Sequence, residues 1–357
     1  MKNKTVIHDA FQPNLNPANI KELYVDTGDF DRLLDTLSSP QTFLVYGNRG
    51  AGKTLLFTLL KTELLAKVAE YYGNANFFDI IKDRLYFKHT PKKRVIVPVF
   101  MRITRASGTH KELLFDTVHE VIRNTIRTLL LIRNISGNKI LREYETQLVE
   151  MLAVLENRET SYQIGERITF RYDLGGVIVP LELGEESSRD FTLAITNRSV
   201  ADLRRLHAIA DELLGIVQKE RIELVVTLDE FDKISVEDAA MMLRAEQGPL
   251  FEAMRSNFSF LIPATEAHVV EMEKSEYSGI FTSKPFKLTP FDLEHTKEMI
   301  DKRLDFKKQD IGESLKWKDV AQENKLSEMI EKTGRVPRMI LKELQKELAD
   351  TDVLPIS

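Results

Sequence analysis

The eight residues Gly47-Asn48-Arg49-Gly50-Ala51-Gly52-Lys53-Thr54 restrict this chain more than any other segment. They follow the apolar run Thr42-Phe43-Leu44-Val45-Tyr46 and precede Leu55-Leu56-Phe57-Thr58-Leu59-Leu60. The first run predicts a buried strand, and the Leu-rich continuation predicts a helix reaching about Tyr72. Between them stands the pattern G-x-x-x-x-G-K-[ST], which in a strand–turn–helix context is a phosphate-binding loop. Its glycines let successive backbone N–H groups line an anion-sized hollow without Cβ clashes. The following helix adds the partial positive charge of its N-terminus. Residues 47–54 together with Leu55 are therefore the candidate nucleotide cradle. Lys53 is placed to reach the β- and γ-phosphates of ATP, and the Thr54 hydroxyl to hold Mg²⁺. By average residue usage the bare pattern arises by chance in roughly one chain in a hundred of this length.

Such a loop needs a carboxylate for the metal, and Glu223-Leu224-Val225-Val226-Thr227-Leu228-Asp229-Glu230 supplies one. The run predicts a strand ending at Asp229, the edge where open α/β sheets bind ligands. Asp229 is the candidate Mg²⁺ ligand beside Thr54, and Glu230 the candidate general base for an attacking water. Asp232 and Lys233 read as ordinary helix-start residues. A further strand, Phe258 to Ala264, ends at Thr265. Lying between the two motifs, Thr265 could orient the water, touch the γ-phosphate or simply cap a helix. Near the end, Thr333-Gly334-Arg335-Val336-Pro337-Arg338 leads into a helix, with Pro337 suited to its first turn. Arg338 is a candidate bidentate partner for the γ-phosphate.

Composition narrows the classes. The 357 residues include 50 Lys plus Arg against 55 Asp plus Glu, a formal charge of −5, which excludes a strongly basic nucleic-acid coater. The absence of cysteine excludes disulfides, thiolate metal sites and cysteine nucleophiles. The N-terminus turns polar at His8-Asp9, and no uncharged apolar run approaches the length of a membrane span. A cytoplasmic protein with no membrane partner is the expectation. No N-K-x-D stretch occurs, which favours adenine over guanine.

Taken together, the phosphate loop, the hhhhDE strand, the polar residue ending the next strand and G-x-x-P-R resemble an AAA+ ATPase. The resemblance is to the origin-recognition and replication-initiator group, with its relatives among STAND-type and prokaryotic ATPases. Lys287-Leu288-Thr289-Pro290-Phe291, then Glu294 to Leu304 with Arg303, is similar to their strand leading into a helical lid. Leu23 to Thr27 and on to Leu34 resembles their first strand and helix, packed near the adenine. The resemblance spans roughly 20–104 and 200–348. It implies that Lys53, Thr54, Asp229 and Glu230 carry ATP hydrolysis, with Thr265 and Arg338 as sensors. It also implies a nucleotide-driven conformational or assembly switch, with self-association through the ATPase core and a DNA-linked role.

Three features depart from that pattern. Residues 266–285 hold Lys274 and Lys284 but no arginine that could reach a neighbour's site, and Arg255 is a weak substitute. Initiators carry a winged-helix domain after the lid, and the residues after Leu348 are too few for one. Finally, the strand read over Arg94 to Met101, expected beside the phosphate-loop strand, is followed by about 120 residues before Glu223.

That stretch reads as an insertion at about 104–200. Residues 110–157 have helical apolar spacing, as in Leu113, Leu114, Val118, Val121, Ile122, Ile126 and Leu129. Residues 166–196 have strand alternation, with a turn at Asp173-Leu174-Gly175-Gly176, a return over Val177 to Leu183, and Phe191, Leu193 and Ile195 alternating again. Ser199 is placed to cap a helix from about Val200 to Lys219. The hairpin is a candidate contact for DNA or a partner protein, or a flap over a sheet edge. Two stretches are locally basic: Lys82, Arg84, Lys88, Lys92, Lys93 and Arg94, and the helical stretch with Arg123, Arg127, Arg133, Lys139 and Arg142. Each reads as a phosphate-backbone track or, more simply, as a solvated face.

The fold expected is α/β: a P-loop NTPase with a mostly parallel sheet flanked by helices, an α+β insertion and a C-terminal helical lid. The division expected is a core over 1–288 and a lid over 289–357. Two rivals to an ATP-hydrolysing machine remain at this stage. One is a slow or non-hydrolysing nucleotide-gated module that recruits a partner protein. The other is a small-molecule kinase, which the Asp229-Glu230 pair and Arg338 disfavour.

Overall fold

The computed structural model describes residues 2–11, 20–37, 42–77, 96–103, 110–156, 168–173, 178–183, 203–243, 258–274 and 284–350. The basic run 82–94, Arg255, the hairpin turn 174–177, the alternation at 191–195 and Ser199 lie outside them. A five-stranded sheet forms the centre, built from β1 (Thr42–Tyr46), β2 (Ile96–Arg102), β5 (Glu223–Asp229), β6 (Phe258–Ala264) and β7 (Phe286–Lys287). Every pairing is parallel, and the order across the sheet is β2-β5-β6-β1-β7. The fold is α/β of the P-loop type.

One expectation fails. The strand read over 94–101 does not lie beside the phosphate-loop strand. It pairs with β5 at the far edge, with Arg102 opposite Asp229. β6 holds the place next to β1, with Tyr46 opposite Ala264. Both neighbours of a parallel strand are apolar, so its own pattern does not say which strand it pairs with.

Side chains alternate between the two faces, as the pleat requires. Val97, Val99, Leu224, Val226, Phe258, Phe260, Ile262 and Leu44 share one core. Val225, Leu261 and Val45 point into the other, with Phe30, Leu33, Leu56 and Phe57. Both faces of the sheet are thus covered, which accounts for near-continuous apolar strands such as the fully buried β6.

The helices that place the site begin with α1 (Lys2–Ala10), α2 (Asp29–Thr36) and α3 (Lys53–Tyr72). α3 follows the phosphate loop and stops where Gly73 takes φ +70°, the left-handed conformation that ends a helix. The insertion supplies α4 (His110–Ile135) and α5 (Glu145–Glu156), followed by α6 (Leu203–Lys219). α4 turns one face into the core, while Lys139 and Arg142, later in the same basic stretch, are exposed. Ile122, Ile126, Leu129 and Ile132 are fully buried in the sheet's own core. Two of its cations meet neighbouring acids: Arg123 meets Glu120 at 2.6 Å, and buried Arg133 meets Glu145 at 2.6 Å. The predicted hairpin is present as β3 (Ile168–Asp173) antiparallel to β4 (Ile178–Leu183), with Ile168 opposite Leu183.

The remaining elements are α7 (Val236–Leu243), α8 (Glu266–Met272), α9 (Leu293–Phe306), α10 (Glu323–Lys332) and α11 (Pro337–Asp350). The last three form the lid, whose core gathers Phe291, Ile300, Leu304, Leu326, Ile340 and Leu344. α1 joins that core through Ile7 and Phe11, both fully buried. Buried Arg303 donates to the Ala10 carbonyl at 3.1 Å, at the C-terminal end of α1 where a cation is favoured. Burial pushes the Arg303 guanidinium down to about 10. Among the described residues no helix is long and apolar enough to cross a membrane.

Candidate nucleotide site

The carboxyl ends of β1, β5 and β6 open onto a cleft of about 950 Å³ closed on its far side by the lid. β6 pairs with β5 only as far as Leu261, while β5 continues along β2 to Asp229. The cleft lies outside the carboxyl ends of these strands, the usual place for a ligand in an open parallel sheet.

The loop takes the shape its glycines were expected to allow. Gly50 and Gly52 adopt φ +94° and +104°, and α3 starts at Lys53 with no side chain capping its first turn. The open N–H groups of that turn face the cleft, which Gly50 to Leu55 line. Asn48 and Arg49 are exposed on the loop's rim, and Gly47 at its base donates to the Ala264 carbonyl.

Lys53 is almost fully buried, with its ammonium 2.8 Å from the Gly47 carbonyl and 3.0 Å from Asp232 Oδ2. Asp232 is therefore not an ordinary helix-start residue. A short 3₁₀ turn over Phe231–Lys233 folds the chain back and brings its carboxylate to the phosphate-loop lysine. The spacing of three from Asp229 was the available sign, hidden by its likeness to a capping pattern.

Asp229 is 1% exposed and accepts from the Thr54 hydroxyl at 2.9 Å through Oδ1. Its Oδ2 is buried and has no hydrogen-bond partner. Burial holds the carboxyl above its usual range, opposed by the Thr54 and Glu230 hydrogen bonds and the Arg102 charge. A dry carboxylate oxygen beside a hydroxyl is a donor set of the kind Mg²⁺ takes, so the residues present fit that ion.

Glu230 follows in the left-handed conformation, φ +67°, a strained position for a residue with a Cβ. Its Oε1 lies 2.8 Å from Lys233 Nζ and 3.6 Å from Arg102 Nε. Arg102 stands 3.8 Å from Asp229 Oδ2 as well. Sequence reasoning missed Arg102 because it misplaced β2. Once β2 is beside β5, the register itself sets Arg102 against the acid pair.

Thr265 lines the cleft and is also the N-cap of α8. Its hydroxyl lies 2.6 Å from His268 Nδ1, a buried histidine that the sequence did not single out. Arg338, in the first turn of α11, lies over the loop: a Cβ on Gly50 would come within 2.7 Å of Arg338 Cβ. The same cleft has an apolar end lined by Tyr24, Val25, Leu288, Phe291 and Met299. Buried Asp29 fixes that end by accepting from the Thr289 amide at 2.9 Å and hydroxyl at 2.8 Å, tying α2 to the start of the lid. A cleft polar and N–H-rich at one end and apolar at the other suits a nucleotide.

No family model matches the chain, and no curated protein is similar to it in sequence. Among solved structures it is similar to the ORC1 protein of Aeropyrum pernix, solved in complex with DNA. The identity there is 11%, with a TM-score of 0.41 over 96% of this chain and 63% of that one. It is similar as well to the ORC2 protein of the same organism, solved with ADPNP and ADP. That match has 14% identity and a TM-score of 0.40 over 97% of this chain and 68% of that one. The chain thus spans less than two thirds of the ORC1 chain.

Proposed function

We propose that the chain binds ATP with Mg²⁺ and hydrolyses it, and that its nucleotide state drives a conformational or assembly switch. The observation that carries this is the buried Asp229 beside the phosphate loop, bonded to Thr54 through one oxygen while the other accepts no hydrogen bond and has only the Arg102 charge near it, at 3.8 Å. The base would lie at the apolar end and the phosphates against residues 50–54. Thr54 and Asp229 would hold Mg²⁺, which when bound neutralises charge on the β- and γ-phosphates. Lys53 would leave Asp232 for a phosphate oxygen. Glu230 would accept a proton from the water that attacks the γ-phosphorus, as the bond to the β-phosphate oxygen breaks and ADP leaves. Arg338 would bring the lid onto the γ-phosphate, so that nucleotide loss and lid position are linked. A DNA-linked role, DNA or partner contact through residues 104–200 and self-association remain part of this proposal.

The test is ATP affinity by calorimetry. Lys53→Ala is expected to weaken binding by at least about tenfold, the worth of one charge-assisted bond. Unchanged affinity would remove the loop from the site. Proton linkage gives a second check. With its carboxyl raised by burial, Asp229 takes up a proton at a pH where exposed carboxylates have none, so the metal-free chain loses stability as pH rises through that window. Mg²⁺ needs the ionised form, so Mg²⁺-dependent ATP affinity should fall as pH is lowered into the same window. Asp229→Asn should abolish that dependence, and an unaltered pH profile would contradict it.

A second reading, slow or gated turnover, has its own observation. Glu230 Oε1 is paired with Lys233 at 2.8 Å and lies 3.6 Å from Arg102, contacts that compete with a water for the same oxygen. Recruitment of a partner by the ATP form with negligible phosphate release would favour it.

A further inference from the structure

His268 is buried at the N-terminus of α8, and the chemistry of ATP hydrolysis described above does not use it. Its Nε2 lies 3.2 Å from the carbonyl oxygen of Ile234, which has only lone pairs to offer. Nε2 therefore carries the ring proton. Burial keeps the ring below its ordinary range and so neutral, with Lys53 acting in the same direction. The Ile234 carbonyl, Asp232 and Glu237 act in the opposite one. In a neutral ring with Nε2 protonated, Nδ1 is a bare acceptor. The Thr265 hydroxyl at 2.6 Å must then donate to it.

With its one proton given to His268, Thr265 Oγ1 has only lone pairs left. One of these receives the His268 amide at 3.4 Å, and the oxygen otherwise meets the cleft that Thr265 lines. A lone pair set against a phosphate oxygen is repulsive, whereas a water can donate to it.

We propose that His268 is a positioning residue that fixes the hydrogen-bond polarity of Thr265, so that the hydroxyl meets the cleft as an acceptor and orients the attacking water rather than the γ-phosphate. Glu230 takes one proton of that water and Thr265 holds the other in place. Because Ile234 ends the turn carrying Asp232 and Lys233, the same imidazole also ties the Thr265 end of β6 to the segment behind Glu230. The proposal rests on the hydrolysis reading for the water, and for the polarity on the Ile234 and Thr265 contacts of a ring that burial keeps neutral.

The test separates the two. His268→Gln keeps an N–H for the Ile234 carbonyl and removes the ring acceptor; Thr265→Val removes the hydroxyl; Thr265→Ser keeps it. Steady-state ATP turnover is expected to fall on the order of tenfold in kcat for His268→Gln and for Thr265→Val, with KM within about twofold, and to be retained in Thr265→Ser. The double variant should be no slower than Thr265→Val, because His268 acts through that hydroxyl. Multiplying losses, or an unchanged kcat in His268→Gln, would overturn the proposal. Long-range proton–nitrogen spectra of the native chain with labelled histidine give a readout free of turnover. A protonated Nε2, with an Nδ1 signal that moves in Thr265→Val, is expected; a protonated Nδ1 would overturn the polarity. If the native chain releases no phosphate the hydrolysis reading fails, and the ring spectrum alone decides how Thr265 is set.

Discussion

Glu230→Gln is expected to bind ATP as the native chain does and to release phosphate at least about a hundredfold more slowly, the usual loss when a general base is removed. The substitution keeps the length of the side chain and tolerates the left-handed backbone at this position no worse than glutamate does. The cations it would leave, Lys233 and Arg102, have side chains 46% and 56% exposed, so water can replace the carboxylate they lose. Stability should therefore change by no more than about 1 kcal/mol, the worth of exposed ion pairs. Phosphate release at the native rate, with ATP still bound, would take the general-base role from Glu230.

Gly50→Ala is expected to produce the largest loss of stability in the loop. Two independent costs meet there. The φ of +94° lies where a residue with a Cβ is strained by about 1–3 kcal/mol. The new methyl would also come 2.7 Å from Arg338 Cβ and 3.1 Å from Arg338 Cδ, contacts that require α11 to move away. Gly52→Ala is the control. Its φ of +104° imposes the strain, but no atom lies within 4 Å of the added carbon. Thermal unfolding of the nucleotide-free proteins should place Gly50→Ala below Gly52→Ala by about 1–3 kcal/mol, the range for overpacking. Equal losses would mean that the lid does not rest on the loop in solution.

What the sequence disclosed follows from how far apart the interacting residues lie along the chain. The phosphate loop was legible because strand, glycines, lysine and helix are contiguous, and its geometry is set by backbone rules alone. β5 and β6 were legible for the same reason: each is an apolar run ending in a polar residue. The pairing of β2 was not, since a run such as Ile96-Val97-Pro98-Val99 fits beside any buried strand. That error hid Arg102, whose meaning comes only from standing opposite Asp229. Asp232 was hidden differently, because a 3₁₀ turn returned to Lys53 has the same local pattern as a helix start. α1 carries too few apolar residues to announce a core, yet Ile7 and Phe11 suffice once Ile300, Leu304 and Leu344 present a matching face. His268 reads as a polar residue in a short helix, and only the approach of Ile234 gives its ring a fixed tautomer.

Phosphate release from ATP per chain, with and without Mg²⁺ and duplex DNA across a series of protein concentrations, decides whether the chain is an ATPase. Glu230→Gln sets the background. Release is expected to require Mg²⁺, to exceed the Glu230→Gln background and to be lost in Lys53→Ala. A specific rate that climbs with concentration or with DNA would add that assembly completes the site. Release indistinguishable from the Glu230→Gln background under every condition would contradict ATP hydrolysis and leave the nucleotide as a switch that is not consumed.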